Sequence, residues 1–241
     1  MSPDPAGGSL SDPQTLNRYA YVRNSPLAAT DPTGEIIWWN DSKRTRRKGE
    51  TTDRTNAQRK FENRLEEMQN SKDPGERAKG AALQNTYDRL QASKATFEVI
   101  NQGGSEASYG EITYQGNDHF TISLAGDTAY HLSDNQRLAH EFEHGRQVLD
   151  GEMSFANYTG DWRPWAHDRT DEAKGFAAGF DIERAQPGQG SFINSIQQAI
   201  DAGGVAGGAT RLGRGDSPYH NLEQGPINVD VQTPSIYRVP Q

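Results

Sequence analysis

A helix sets histidines four residues apart on one face, where they can share one ion, and this sequence carries such a pair in His140 and His144. They lie in residues 138–151, LAHEFEHGRQVLDG, in the order H-E-x-x-H. On a helix the two imidazoles stand one above the other on one face. Glu141, one residue past the first histidine, is swung to the flank of the ion, where a carboxylate can act as a base. Local signals supply the helix. Ser133 and Gln136 have the S-x-x-Q form of a capping box, and Asp134 is acidic in the first turn. Leu138, Phe142, Val148 and Leu149 recur at near-helical spacing, and Asp150-Gly151 is a stop. A helix is predicted over residues 134–149. With six histidines in the chain, the motif arises by chance in about one such sequence in a hundred, so the cap and the apolar stripe add to its weight.

Around this helix, 241 residues suffice for one domain with loose ends. Only 32% of residues are hydrophobic, so a sizeable share is expected to be loop. The absence of cysteine excludes disulfides, thiol catalysis and thiolate metal sites. A net charge of −8 argues against a nucleic-acid partner, and the basic run at residues 43–48, KRTRRK, reads as a solvated linker. Neither an apolar signal segment nor a bilayer-length apolar run is present, so the chain is expected to be soluble, with any export by a route other than a signal peptide on it.

Helices are predicted over residues 56–70 and 76–91, from Phe61, Leu65 and Met68 in the first and Ala78, Ala82, Tyr87 and Leu90 in the second. The period then switches to two. Residues 96–100, 111–115 and 119–124 read as strands, the last two joined as a hairpin through Gly116-Asn117-Asp118. Residues 36–39, IIWW, are a short strand or packing anchor. After the H-E-x-x-H helix, residues 152–167 read as an aromatic loop. Residues 170–184 read as a helix capped by Thr170 with Asp171 and Glu172 in its first turn, and residues 191–200 as a further short helix. The expected fold class is α+β, with a small antiparallel sheet packed on the H-E-x-x-H helix and additional helices around it. The domain is placed at residues 55–202, after a linker at 35–54 and before a Gly/Pro-rich tail at 203–241. Arg214-Gly215-Asp216 spells an adhesion tripeptide and is read as loop.

Residues 1–34 carry a different signal. Their SPDP opening, the body DPQTLNRYAYVRNSPL and the closing DPTG closely resemble the C-terminal end of an RHS (rearrangement hotspot) repeat-associated core. In proteins of that kind a large β-rich shell is followed by a variable C-terminal domain, commonly a toxin, and the two are cut apart near the DPxG end. The resemblance therefore implies a core–toxin cleavage region at Asp31, Pro32 and Gly34. It also implies delivery to a target cell by a dedicated secretion system, a cognate immunity protein, and a shell partner where the chain is part of a longer one. The shell-forming repeats are absent here, so the chain is expected to be a piece or a displaced cassette of such a protein.

The order of strands and then the H-E-x-x-H helix is similar to that of the zincin metallopeptidases. Two histidines leave a catalytic ion short of its usual three protein ligands. Glu172, 28 residues after His144 in the setting DEAKGF, resembles the downstream acidic ligand of the gluzincin type, a His2Glu site for Zn2+. The usual E-x-x-x-D is not met, since Phe176 takes the last position. His167, Asp168 and Asp171 are the alternative ligands. On this reading Glu141 is the catalytic base acting on a protein or peptide substrate, and Tyr158, His167 and His220 are the candidate transition-state donors. Asp150 and Asp168 are candidate acceptors for a ligand imidazole. The rival expectation, from another class, is a catalytically inactive zincin-like module that binds a partner or packs within the shell.

Overall fold

In order, the chain forms β1 (Ile37–Asn40), α1 (Asn56–Gln69), α2 (Pro74–Gln91), β2 (Thr96–Ile100), β3 (Glu111–Gly116) and β4 (His119–Ser123). There follow α3 (Asp134–Asp150), β5 (Ser154–Tyr158), β6 (Asp161–Trp165), α4 (Arg169–Ile182) and α5 (Ser191–Leu212). The structure is a computed structural model and describes residues 37–40, 55–100, 111–124, 131–229 and 236–239. The stretch that resembles the RHS core, with Asp31, Pro32 and Gly34, lies outside the described residues, as does the basic run at 43–48.

The central helix, α3, forms for the reasons its sequence supplies. The Ser133 hydroxyl accepts from the Gln136 amide at 3.1 Å, and Gln136 Oε1 accepts from the Ser133 amide at 2.9 Å. At the other end Gly151 takes the left-handed conformation, with φ of 72°, and ends the helix. Asp73 caps α2, with Pro74 in its first turn. The result is α+β, as expected: five helices and two small sheets among the described residues.

The larger sheet is mixed, where the sequence suggested an antiparallel one. Its order is β1-β2-β4-β3, with β2 parallel to both β1 and β4, and only β3 and β4 antiparallel. The crossover through α1 and α2 returns the chain to the end of the sheet from which β1 started, which makes β1 and β2 parallel. The hairpin between β3 and β4 turns through Asn117 and Asp118, both at positive φ, and seats β4 next to β2. That choice buries the apolar pairs Phe97–Phe120 and Val99–Ile122 at the centre and leaves the more polar β3 at the edge.

Residues 154–165, read as loop, form a second hairpin, β5–β6, closed by Thr159 and Gly160 at positive φ. Pro164 lies within β6, which among the described residues pairs only with β5 and so tolerates the missing amide. The glycine-rich stretch past Ala202, read as tail, is helical to Leu212, with a kink at Gly204. Ala209 and Leu212 pack there with Phe176, Phe180, Ile193 and Ile196, so tertiary burial overrides weak local preference. Near the C-terminus, Ile236 bridges to Ala156 and Tyr237 is buried beside Phe120 and Tyr114. Among the described residues no helix is long and apolar enough to cross a membrane.

α3 lies between the main core and α4. On the core side Phe142 meets Phe61, Tyr87 and Trp39 at ring-centroid distances of 5.2, 5.6 and 6.2 Å. Gly145 lets the helix approach closely, since a Cβ there would come within 2.9 Å of the Leu90 side chain. Phe142→Ala is expected to cost about 3–5 kcal/mol, read as a fall in the urea unfolding midpoint.

Candidate metal centre

The other face of α3 is polar and buried, and α4 covers it in antiparallel register. At one end Gln136 Nε2 donates to the Glu183 carbonyl at 2.7 Å, and at the other Gln147 Nε2 donates to the Asp171 carbonyl at 3.1 Å. Between them the helices come close enough that a Cβ on Gly175 would lie 2.9–3.0 Å from three atoms of the His140 ring. Any side chain at 175 would displace that imidazole, so this glycine belongs to the site although it carries no chemistry. The Phe176 ring meets the same imidazole edge-on at 4.7 Å.

Here His140, His144 and Glu172 come together. The two Nε2 atoms face each other at 2.9 Å. Glu172 presents Oε2 to His140 Nε2 at 3.4 Å and Oε1 to His144 Nε2 at 3.6 Å. All three residues are buried, and their ligand atoms lie within 4.8 Å of one another. Glu172 reaches the site because α4 starts where it does. The cap is Asp168 and not Thr170: its Oδ1 accepts from the amides of Thr170 at 2.6 Å and Asp171 at 3.3 Å, while Asp171 Oδ2 accepts from the Asp168 amide at 3.1 Å. Glu172 then falls in the first turn, pointing at α3.

The tautomer of His144 follows from its neighbour. Gln147 Nε2 is committed to the Asp171 carbonyl, so Gln147 Oε1, 2.7 Å from His144 Nδ1, is an acceptor and Nδ1 carries the proton. The Nε2 lone pair is left facing His140 and Glu172. His140 Nδ1 is buried without a hydrogen-bond partner, and so is Glu172 Oε2. Phe176, which takes the last position of the unmet E-x-x-x-D pattern, packs its ring on His140, in keeping with the unpartnered Nδ1 of that imidazole. Buried polar atoms left unsatisfied on His140 and Glu172, beside the His144 Nε2 lone pair, fit a divalent cation. The group could hold a metal ion.

Electrostatics agree with a site shaped for positive charge. Burial, reinforced by His140, pushes His144 down to about 3, so it stays neutral. Burial opposes ionisation of Glu172 as well, but His140 and His167 outweigh it and hold the carboxyl well below its usual range. Beside the ligands on α3, burial pushes Glu141 up to about 7.

The remaining candidates separate. His167 Nε2 lies 2.9 Å from Glu172 Oε1. Tyr158 is at the tip of the second hairpin, 46% exposed, and His220 Nδ1 is engaged by the Ser217 carbonyl at 2.7 Å. Neither makes a hydrogen bond or ion pair with the three clustered side chains. Asp168 and Asp171 are spent on backbone amides, Asp168 Oδ2 accepting from Ile227 at 2.6 Å. Asp150 pairs with Arg89 and Arg146. Neither Asp150 nor Asp168 therefore meets a ligand imidazole. Gln147, one turn beyond His144, takes that place, and a polar residue on the histidine face of α3 was the one signal for it. No family model, curated protein or solved structure matches the chain.

Proposed function

We propose that this chain is a zinc-dependent metallopeptidase, with Zn2+ held by His140, His144 and Glu172 and with Glu141 as the catalytic base. The observation that carries the reading is the convergence of the three buried side chains, two of them with unsatisfied polar atoms, next to a fourth buried side chain, the acid Glu141 of α3. Two nitrogens and a carboxylate oxygen suit zinc, and three protein ligands leave a position open. When bound, such an ion supplies Lewis acidity, lowering the pKa of a coordinated water and polarising a carbonyl.

The chain's own groups do the rest. Glu141 takes the proton of the attacking water and returns it to the leaving amine, so its carboxylate ends as it began. Burial has lifted this acid towards neutrality, in the range where a base can both accept and release a proton. Gln147 keeps the His144 proton on Nδ1, which preserves its Nε2 as a ligand atom. Phe176 walls the far side of His140. The likeness of residues 1–34 to the end of an RHS core supports a toxin delivered into a competing or host cell, with a protein or peptide as substrate.

Metal content tests the reading. The purified chain is expected to hold about one zinc, lost in both His140→Ala and Glu172→Ala while both variants stay folded by circular dichroism. A folded parent that takes up no zinc from excess ion would exclude the peptidase and favour a partner-binding module.

A further inference from the structure

His167 is the third imidazole at this cluster. Its Nε2 is 2.9 Å from Glu172 Oε1, and its ring lies 5.5 Å from that of His144 at 88°. The backbone around it is fixed on both sides. β6 ends two residues earlier at Trp165, paired with Ser154, and Asp168 follows directly with its carboxylate bound to backbone amides. The Nε2 atom is buried and meets Glu172 as an ion pair, without a hydrogen bond. Glu172 Oε1 is the acceptor it faces. Yet His167 is not one of the residues whose ligand atoms lie within 4.8 Å of one another. It touches the carboxylate without joining the group.

We propose that His167 is a positioning residue for the metal centre: it occupies Glu172 Oε1 and leaves Oε2, the oxygen facing His140, as the single ligand atom. The proposal rests on the metal reading above. A carboxylate offers two equivalent oxygens, and an ion that takes both loses a position that water or substrate would use. A donor beside one oxygen breaks the equivalence and fixes the carboxylate plane, as outer partners of metal ligands do. The alternative, His167 as a fourth ligand, would close the coordination shell. Its place outside the group of three argues for the first role.

Cobalt serves as the probe, because Co2+ takes zinc sites and its visible spectrum reports ligand number. Titration of the parent, His167→Ala and His167→Gln with Co2+ is expected to give one site in each. Affinity should fall about 10–100-fold in His167→Ala and recover in part in His167→Gln, whose amide can donate. The cobalt bands should weaken in His167→Ala as the carboxylate turns bidentate, while X-ray absorption counts the same number of imidazoles as in the parent. One imidazole fewer would make His167 a ligand and overturn the proposal. Parental affinity and spectrum in His167→Ala would overturn it too. His167→Leu replaces the alanine variant if that one does not fold. A parent that binds no cobalt removes the metal reading itself, and this proposal with it, before any variant is compared.

Discussion

Glu141→Gln is expected to leave the zinc content of the chain at the parental value and to lower peptide hydrolysis by about 10²–10⁴-fold. Glutamine keeps the size and the hydrogen-bonding shape of the side chain but cannot accept the water proton, so the loss falls on the chemical step. At 1.36 kcal/mol for each tenfold, that is about 3–5 kcal/mol of transition-state stabilisation. Glu141 lies one residue after His140 and is 4% exposed, so the substitution removes a buried acid without touching His140, His144 or Glu172. The measurement is digestion of a peptide library read by mass spectrometry, with zinc determined on the same samples. A variant that cuts like the parent would show that the base lies elsewhere. A parent that holds zinc yet cuts nothing in the library, with Glu141→Gln indistinguishable from it, would point to the ion as structural and to the binding module as the better reading.

The parts of this fold that could be read from the sequence are those whose causes are local. The capping box of α3, its glycine stop and the two-residue turn between β3 and β4 each depend on residues a few positions apart, and each is found where the letters put it. Glu172 could be singled out because its setting, DEAKGF, 28 residues past His144, resembles a gluzincin ligand, although only the fold brings it to His140. Where the cause is a distant partner the sequence was silent or misleading. Nothing near β2 announces that it will pair with β4 in parallel, because the choice is made by burial of Phe97 and Phe120 on a shared face. Residues 152–167 read as loop because the pairing of β5 with β6 depends on tertiary contacts, among them the bridge from Ala156 to Ile236. The glycines at 203, 204, 207 and 208 argued against a helix. Close packing decided otherwise, since a Cβ at Gly207 would collide with the Ala199 carbonyl and one at Gly208 with Ile200. Gly175 gave no signal, and Gln147 only its polarity on the histidine face, for the same reason: their roles are defined by an imidazole that only the packing of α3 on α4 places against them.

Gln147 is where that hidden part of the site can be tested hardest. Its side chain is fully buried and makes two hydrogen bonds, from His144 Nδ1 at 2.7 Å and to the Asp171 carbonyl at 3.1 Å. Gln147→Leu fills nearly the same volume and removes both. A buried N–H is then left without a partner while the Asp171 carbonyl keeps only its bond within α4, so the metal-free chain is expected to lose about 1–3 kcal/mol in urea unfolding. His144 is also freed to carry its proton on Nε2, the nitrogen that faces the other ligands. Zinc affinity should therefore fall about 10–100-fold beyond any loss of folded protein. Gln147→Glu separates the two effects. A carboxylate still accepts from Nδ1, and more strongly, but it cannot donate to Asp171, so this variant should keep its zinc affinity while losing stability. If Gln147→Leu binds zinc as tightly as the parent, the amide fixes only the packing of the two helices, and the His144 tautomer is set by the ion alone.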